Sequence, residues 1–122
     1  MRHNRAMSTR RIVTDLHSPA PTKTAAFYER VLGLRVVMDL GWIVTVADPD
    51  RPQVQLSLID RDATASELPQ ASIEVDDVDA AYRSAQAAGA DIVYPLTDEP
   101  WGVRRFFMRD PDGHVINVLG HR

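Results

Sequence analysis

Apolar and polar positions run along this chain in two registers, and the registers follow each other in the same order twice. From Arg11 to His17 they alternate with period two, placing Ile12, Thr14 and Leu16 on one face and Val13, Asp15 and His17 on the other, which predicts a strand. Ser18-Pro19-Ala20-Pro21 interrupts it, and the period then lengthens to that of a helix. Thr22 serves as the expected N-cap, Gly33 as the stop after Leu32, and Thr24, Phe27, Tyr28, Val31 and Leu32 as the buried stripe. Two β-rich runs follow, Arg35 to Leu40 and Trp42 to Ala47. Asp48-Pro49-Asp50 then turns the chain into a strand from Gln53 to Ile59.

Residues 61–70 are polar and contain proline, and the pattern restarts after them. Ala71 to Val75 reads as a strand. Asp77 can cap a helix with the stripe Val78, Ala81, Tyr82, Ala85 and Ala88, closed by Gly89. Ile92 to Leu96 is β-prone, a loop carries Trp101, and Val103–Met108 and Val115–Leu119 flank the turn Asp110-Pro111-Asp112-Gly113 as a hairpin. The halves overlay on each other: Ala25-Ala26-Phe27 answers Ala80-Ala81-Tyr82, and Asp48-Pro49-Asp50 answers Asp110-Pro111-Asp112. In that register Val54-Gln55-Leu56 stands beside Ile116-Asn117-Val118. The organisation expected is an α+β chain made of a duplicated βαβββ unit. Its divisions are a disordered segment at 1–10, a first module at 11–60, a linker at 61–70 and a second module at 71–120.

Composition narrows the function classes. With 122 residues, 44% hydrophobic and 25% charged, the chain can bury one core. A formal net charge of −3 gives no basic surface for nucleic acid or an anionic membrane. There is no cysteine, hence no disulfide, thiolate ligand or thiol nucleophile. No apolar run approaches the roughly 18 residues of a membrane span, and the basic, polar start does not resemble a secretory signal. The expected location is the cytoplasm. No glycine-rich phosphate loop, serine nucleophile elbow or His-x-x-x-His pair occurs. The Asp110-Pro111-Asp112-Gly113 turn lacks the later oxygen ligands of a calcium loop, so His114 is expected at the surface, and His3 and His121 in disordered ends.

Three segments carry a family resemblance. They are Ala26-Phe27-Tyr28-Glu29-Arg30-Val31-Leu32-Gly33-Leu34, then Ile73-Glu74-Val75-Asp76-Asp77-Val78-Asp79-Ala80, and Trp101-Gly102-Val103-Arg104-Arg105-Phe106 leading to Asp110-Pro111-Asp112-Gly113-His114. In this order and spacing the chain resembles the vicinal-oxygen-chelate superfamily of glyoxalases, bleomycin-resistance proteins and extradiol dioxygenases. It is closest in pattern to the metal-free bleomycin-resistance-like members. The resemblance implies two βαβββ modules forming a curled mixed sheet around a cavity, usually completed in a homodimer. Metal-using members carry His or Glu on the first and fourth strands of each module. The matching positions here, counted in the family's spacing, are Val13, Gln55, Gln70 and Asn117.

Neutral amides and a valine are poor partners for a divalent transition metal, which takes imidazole, thiolate or carboxylate. No metal and no other cofactor is therefore expected. A shifted frame would instead offer Asp15, His17 and Glu74 as a displaced metal site. Strand parity points Val13, Asp15, Gln55, Ser57, Gln70, Ser72, Glu74 and Asn117 into the cavity, with Trp42, Trp101, Arg105 and Phe107 nearer its mouth. Trp42 is read as core, whereas Trp101 either touches ligand or packs. Aromatic walls with a few directed polar groups suit a small organic ligand. Three functions stay open. One is metal-free sequestration of such a ligand at a dimer cleft. The second is a metal-dependent lyase or dioxygenase acting on vicinal oxygens, with a carboxylate such as Glu74 moving the proton. The third is a metal-free isomerase or lyase with Asp15 or Glu74 as base.

Overall fold

The computed structural model describes residues 7–121 and contains eight strands and two helices, an α+β chain. In chain order these are β1 (Thr9–His17), α1 (Pro21–Leu32), β2 (Arg35–Asp39), β3 (Ile43–Ala47) and β4 (Gln55–Ile59). They continue as β5 (Ala71–Val75), α2 (Val78–Ala87), β6 (Asp91–Asp98), β7 (Val103–Arg109) and β8 (Val115–His121). Residues 13–68 form one compact unit. Residues 69–121 form the other, together with residues 7–12.

In the first unit the strands run in the order β2-β3-β4-β1, with β4 parallel to β1 and the other pairs antiparallel. Val44, Val46, Leu58 and Ala25 form its core, with Tyr28, Leu34 and Leu56 packed around them. Helix α1 departs from expectation at both ends of the argument. Its N-cap is Ala20, with Pro21 in the first turn, where a missing N–H costs nothing. The Ser18 hydroxyl accepts from the Ala20 N–H and shares a hydrogen bond with Thr24, and Thr22, the expected cap, lies inside the first turn. Only Pro21 and Ala25 are buried on the helix, while Phe27, Val31 and Leu32 are exposed at 49%, 58% and 64%. Ala25 and Tyr28 meet the core, whereas Phe27, Val31 and Leu32 of the expected stripe face away.

The expected strand from Gln53 loses its first two residues. Val54 donates to Arg51 O and accepts from Asp48 N–H, closing a turn before β4 begins. The linker is not loose either: Asp62 accepts from the N–H groups of Thr64 and Ala65, and Ala65 is buried.

The second unit repeats the plan as β5-β8-β7-β6, with β5 and β8 parallel. Asp77 caps α2 by accepting from Ala80 N–H at 3.0 Å. Val78, Ala81 and Ala85 face Val75, Phe106 and Val118 as expected, but Ala88 is the exposed C-cap residue. Gly113 at φ 89° allows the hairpin turn, where Gly113 N–H reaches Asp110 O. Residues 7–10 are not disordered. Met7 packs on this core, Ser8 N–H donates to the Asp76 carboxylate, Ser8 O accepts from Asp76 N–H, and β1 starts at Thr9 rather than Arg11. Those partners lie far along the chain, out of reach of a local pattern. The rest of the expected disordered start, residues 1–6 with His3, lies outside the described residues.

Candidate functional site

In each unit the strands have one face on the helix and one turned away, and most of the polar candidates occupy the second. In the second unit Phe106, Met108, Ile116, Val118, Ile73 and Val75 pack toward α2. Period-two alternation therefore sends Arg105, Phe107, Asn117, Ser72 and Glu74 to the opposite face. The ladder aligns them: Phe107 and Ser72 both stand opposite Asn117, and Arg105 and Glu74 both stand opposite Leu119.

Asn117 is buried. Its amide Nδ2 donates to Ser72 Oγ at 3.0 Å, and its Oδ1 has no hydrogen-bond partner among the described residues. A buried acceptor left this way costs about 1–3 kcal/mol, so it calls for a donor. Beside it lies a buried cation in an aromatic box. Arg105 Nε donates to Glu99 Oε2 at 2.6 Å, and Tyr94 Oη donates to the same oxygen at 2.9 Å. The Arg105 Cζ lies 4.8 Å from the Phe107 ring centroid, 5.0 Å from that of Trp101 and 5.3 Å from that of Tyr94. Trp101 thus packs one ring against Arg105 while remaining half-exposed.

Glu74 is held at 2.6 Å by Arg11, and its other oxygen lies 3.4 Å from His121 Nε2. His121 is the last residue of β8, not part of a disordered end, because the strand runs two residues beyond the expected Leu119. Gln70 precedes β5 and is exposed. Its N–H donates to Val115 O and its Oε1 accepts from Val115 N–H, so it caps the ladder rather than facing inward. Sequence reasoning passed over Glu99, Tyr94 and Arg11. The available signal was Arg105 itself, since a basic residue at a buried strand position needs a carboxylate within reach.

In the first unit, Leu56 and Leu58 face the helix and Ser57 faces away, sharing a 2.7 Å hydrogen bond with Thr45. Asp15 is buried opposite Ser57 in the ladder. Gln55 is half-buried, and its Nε2 donates to Pro52 O at 2.8 Å. Trp42 is half-buried just ahead of β3, and its carbonyl accepts from Asp60 N–H.

The donor set at the family's ligand positions does not fit a divalent metal. Val13 offers no ligand atom, and the Gln55 and Gln70 side chains both bond backbone groups, of Pro52 and Val115. Asp110, Asp112 and His114 do cluster on the hairpin turn. There Asp110 accepts from the N–H groups of Asp112 and His114 and bonds the His114 ring at 2.9 Å. That ring contact is the main reason its carboxyl sits below the ordinary carboxylate range. These bonds are those of the turn. A cavity of about 700 Å³ also opens in this unit, on the α2 side of the sheet, with Met7, Ile73, Ala85, Phe106 and Met108 in its wall. It lies on the opposite face from Asn117 and offers mainly apolar contact. No described helix is long and apolar enough to cross a membrane.

Comparisons with known proteins agree with this architecture. Among solved structures, a glyoxalase/bleomycin resistance protein/dioxygenase superfamily member from Vibrio splendidus 12B01 superposes with a TM-score of 0.66 at 18% identity, over 93% of this chain and 99% of that one. Methylmalonyl-CoA epimerase from Mycobacterium tuberculosis gives 0.62 at 21% identity, over 93% and 87%. A Legionella pneumophila structure described as an NAD-dependent benzaldehyde dehydrogenase gives 0.73 at 17%, over 91% and 99%. At these identities the likeness shows the fold alone. No curated protein matches the chain at a significant level. The family model of the Glyoxalase/Bleomycin resistance protein/Dioxygenase superfamily matches residues 13–118, nearly the whole chain, and the chain belongs to that superfamily.

Proposed function

We propose that this protein binds a small organic molecule without a metal ion and sequesters it stoichiometrically, as a cytoplasmic homodimer. The observation that carries the reading is the buried Asn117 Oδ1, an acceptor without a donor beside an aromatic wall. A ligand N–H or O–H would supply that donor, and an unsaturated or aromatic portion would lie against Trp101. A metal-centred lyase or dioxygenase needs anionic or imidazole ligands that these positions lack. Glu74, the candidate base, is already paired with Arg11.

The test is tryptophan fluorescence during titration with a panel of small aromatic and amine-bearing compounds, bleomycin-type drugs included. Trp101→Ala is expected to weaken the binding ligands by about 0.5–1.5 kcal/mol, the worth of an aromatic contact beyond burial. If ligands bind and Trp101→Ala leaves every affinity unchanged, Trp101 is packing only. If no compound binds, the sequestration reading fails.

A further inference from the structure

We propose that the ligand of the Asn117 face is an uncharged planar molecule with an N–H or O–H on its ring system. Two closed ion pairs beside this face would reject charged relatives of the same shape. This deepens the binding reading above and rests on it.

The strand ladder sets the arrangement. Phe107, Asn117 and Ser72 stand in one row across β7, β8 and β5. Arg105, Leu119 and Glu74 stand in the next row that faces the same way. A ligand donor bonded to Asn117 Oδ1, the buried acceptor without a partner, therefore lies beside both a guanidinium and a carboxylate. Both charges are already answered within the unit. Arg105 Nε donates to Glu99 Oε2 at 2.6 Å, both side chains are almost fully buried, and the rings of Tyr94, Trp101 and Phe107 surround the guanidinium carbon. Glu74 is bonded to Arg11 Nε at 2.6 Å, with its side chain 12% exposed. Asp15, the buried carboxylate of the first unit, has a partner as well.

A carboxylate on the ligand would have to draw Arg105 away from Glu99 and leave that buried acid without its countercharge. An ammonium would have to draw Glu74 away from Arg11. A ligand charge that did neither would lose its water with nothing in exchange. Specificity then rests on what the site refuses as much as on what it holds. A neutral ring with one donor incurs none of these costs. Its N–H or O–H meets Oδ1, the one buried side-chain atom left without a partner among the described residues.

The experiment is isothermal titration calorimetry of the full chain at neutral pH with indole, 1-methylindole, indole-3-acetate and tryptamine, which share one ring system. Indole is expected to bind roughly tenfold or more tightly than either charged relative, and 1-methylindole, which lacks the donor, roughly tenfold more weakly than indole. Arg11→Gln removes the countercharge of Glu74 at a side chain that is 30% exposed, and circular dichroism checks that the variant folds. It is expected to bind tryptamine roughly tenfold more tightly than wild type does, with indole unchanged. If the variant does not fold, the wild-type ranking decides alone. Tryptamine or indole-3-acetate binding wild type as tightly as indole would overturn this inference and leave the binding reading intact. A folded Arg11→Gln with unchanged tryptamine affinity would do the same. Binding of none of the four, while a compound of the fluorescence panel binds, would also overturn the inference alone. If that panel fails too, both fall.

Discussion

Glu99→Ala is expected to destabilise the fold by about 3–5 kcal/mol, the usual cost of removing one partner from a buried ion pair. The Glu99 and Arg105 side chains are only 2% and 4% exposed, and the Nε–Oε2 distance is 2.6 Å. Tyr94 loses the acceptor for its hydroxyl in the same step. The three rings around the guanidinium contribute contact but no countercharge for Arg105. Glu99→Gln keeps an acceptor for both donors and is expected to cost less than the alanine. Urea unfolding at neutral pH reads the result as a fall in midpoint with an unchanged slope. A cost below about 1 kcal/mol for Glu99→Ala, the level of a surface pair, would mean that this interaction does not hold β6 and β7 together.

Phe106→Ala is the other large expected effect, about 3–5 kcal/mol. Phe106 is 1% exposed and meets Tyr82 edge-on with centroids 4.9 Å apart. The helix above it presents Ala81 and Ala85, side chains too short to fill the space that the ring would leave. Phe27→Ala on α1 makes the contrast. That residue is half-exposed, so its loss should change monomer stability by under about 0.5 kcal/mol. Equal costs at the two positions would contradict the placement of the core.

The alternation of strands and helices made the doubled βαβββ plan legible in the sequence. Local chemistry made Asp77 and Gly113 legible as cap and turn. Strand parity also put Ser72, Glu74 and Asn117 on one face, because period two sends alternate residues to the same side. What failed depended on distant partners. The stripe of α1 was read by period alone, and period does not say which side of a helix meets the sheet. Gln70 was counted inward from Asp77, but the strand starts one residue later and the amide closes the ladder against Val115. Arg11, Glu74 and His121 come together from opposite ends of the chain, which no short window reveals.

The most direct measurement is ligand affinity of chelator-dialysed protein, wild type against Asn117→Leu, by fluorescence titration with a compound that binds. Replacing the amide by an apolar side chain of similar size removes the unpartnered oxygen and, with it, the donor to Ser72 Oγ, so the gain and the loss oppose each other and the unliganded fold should change little in stability. Wild type is expected to keep its affinity after dialysis, and Asn117→Leu to lose roughly tenfold, about the worth of one buried hydrogen bond. Affinity that vanishes on chelation and returns with a divalent ion, or that Asn117→Leu leaves unchanged, would contradict a metal-free site anchored on Asn117.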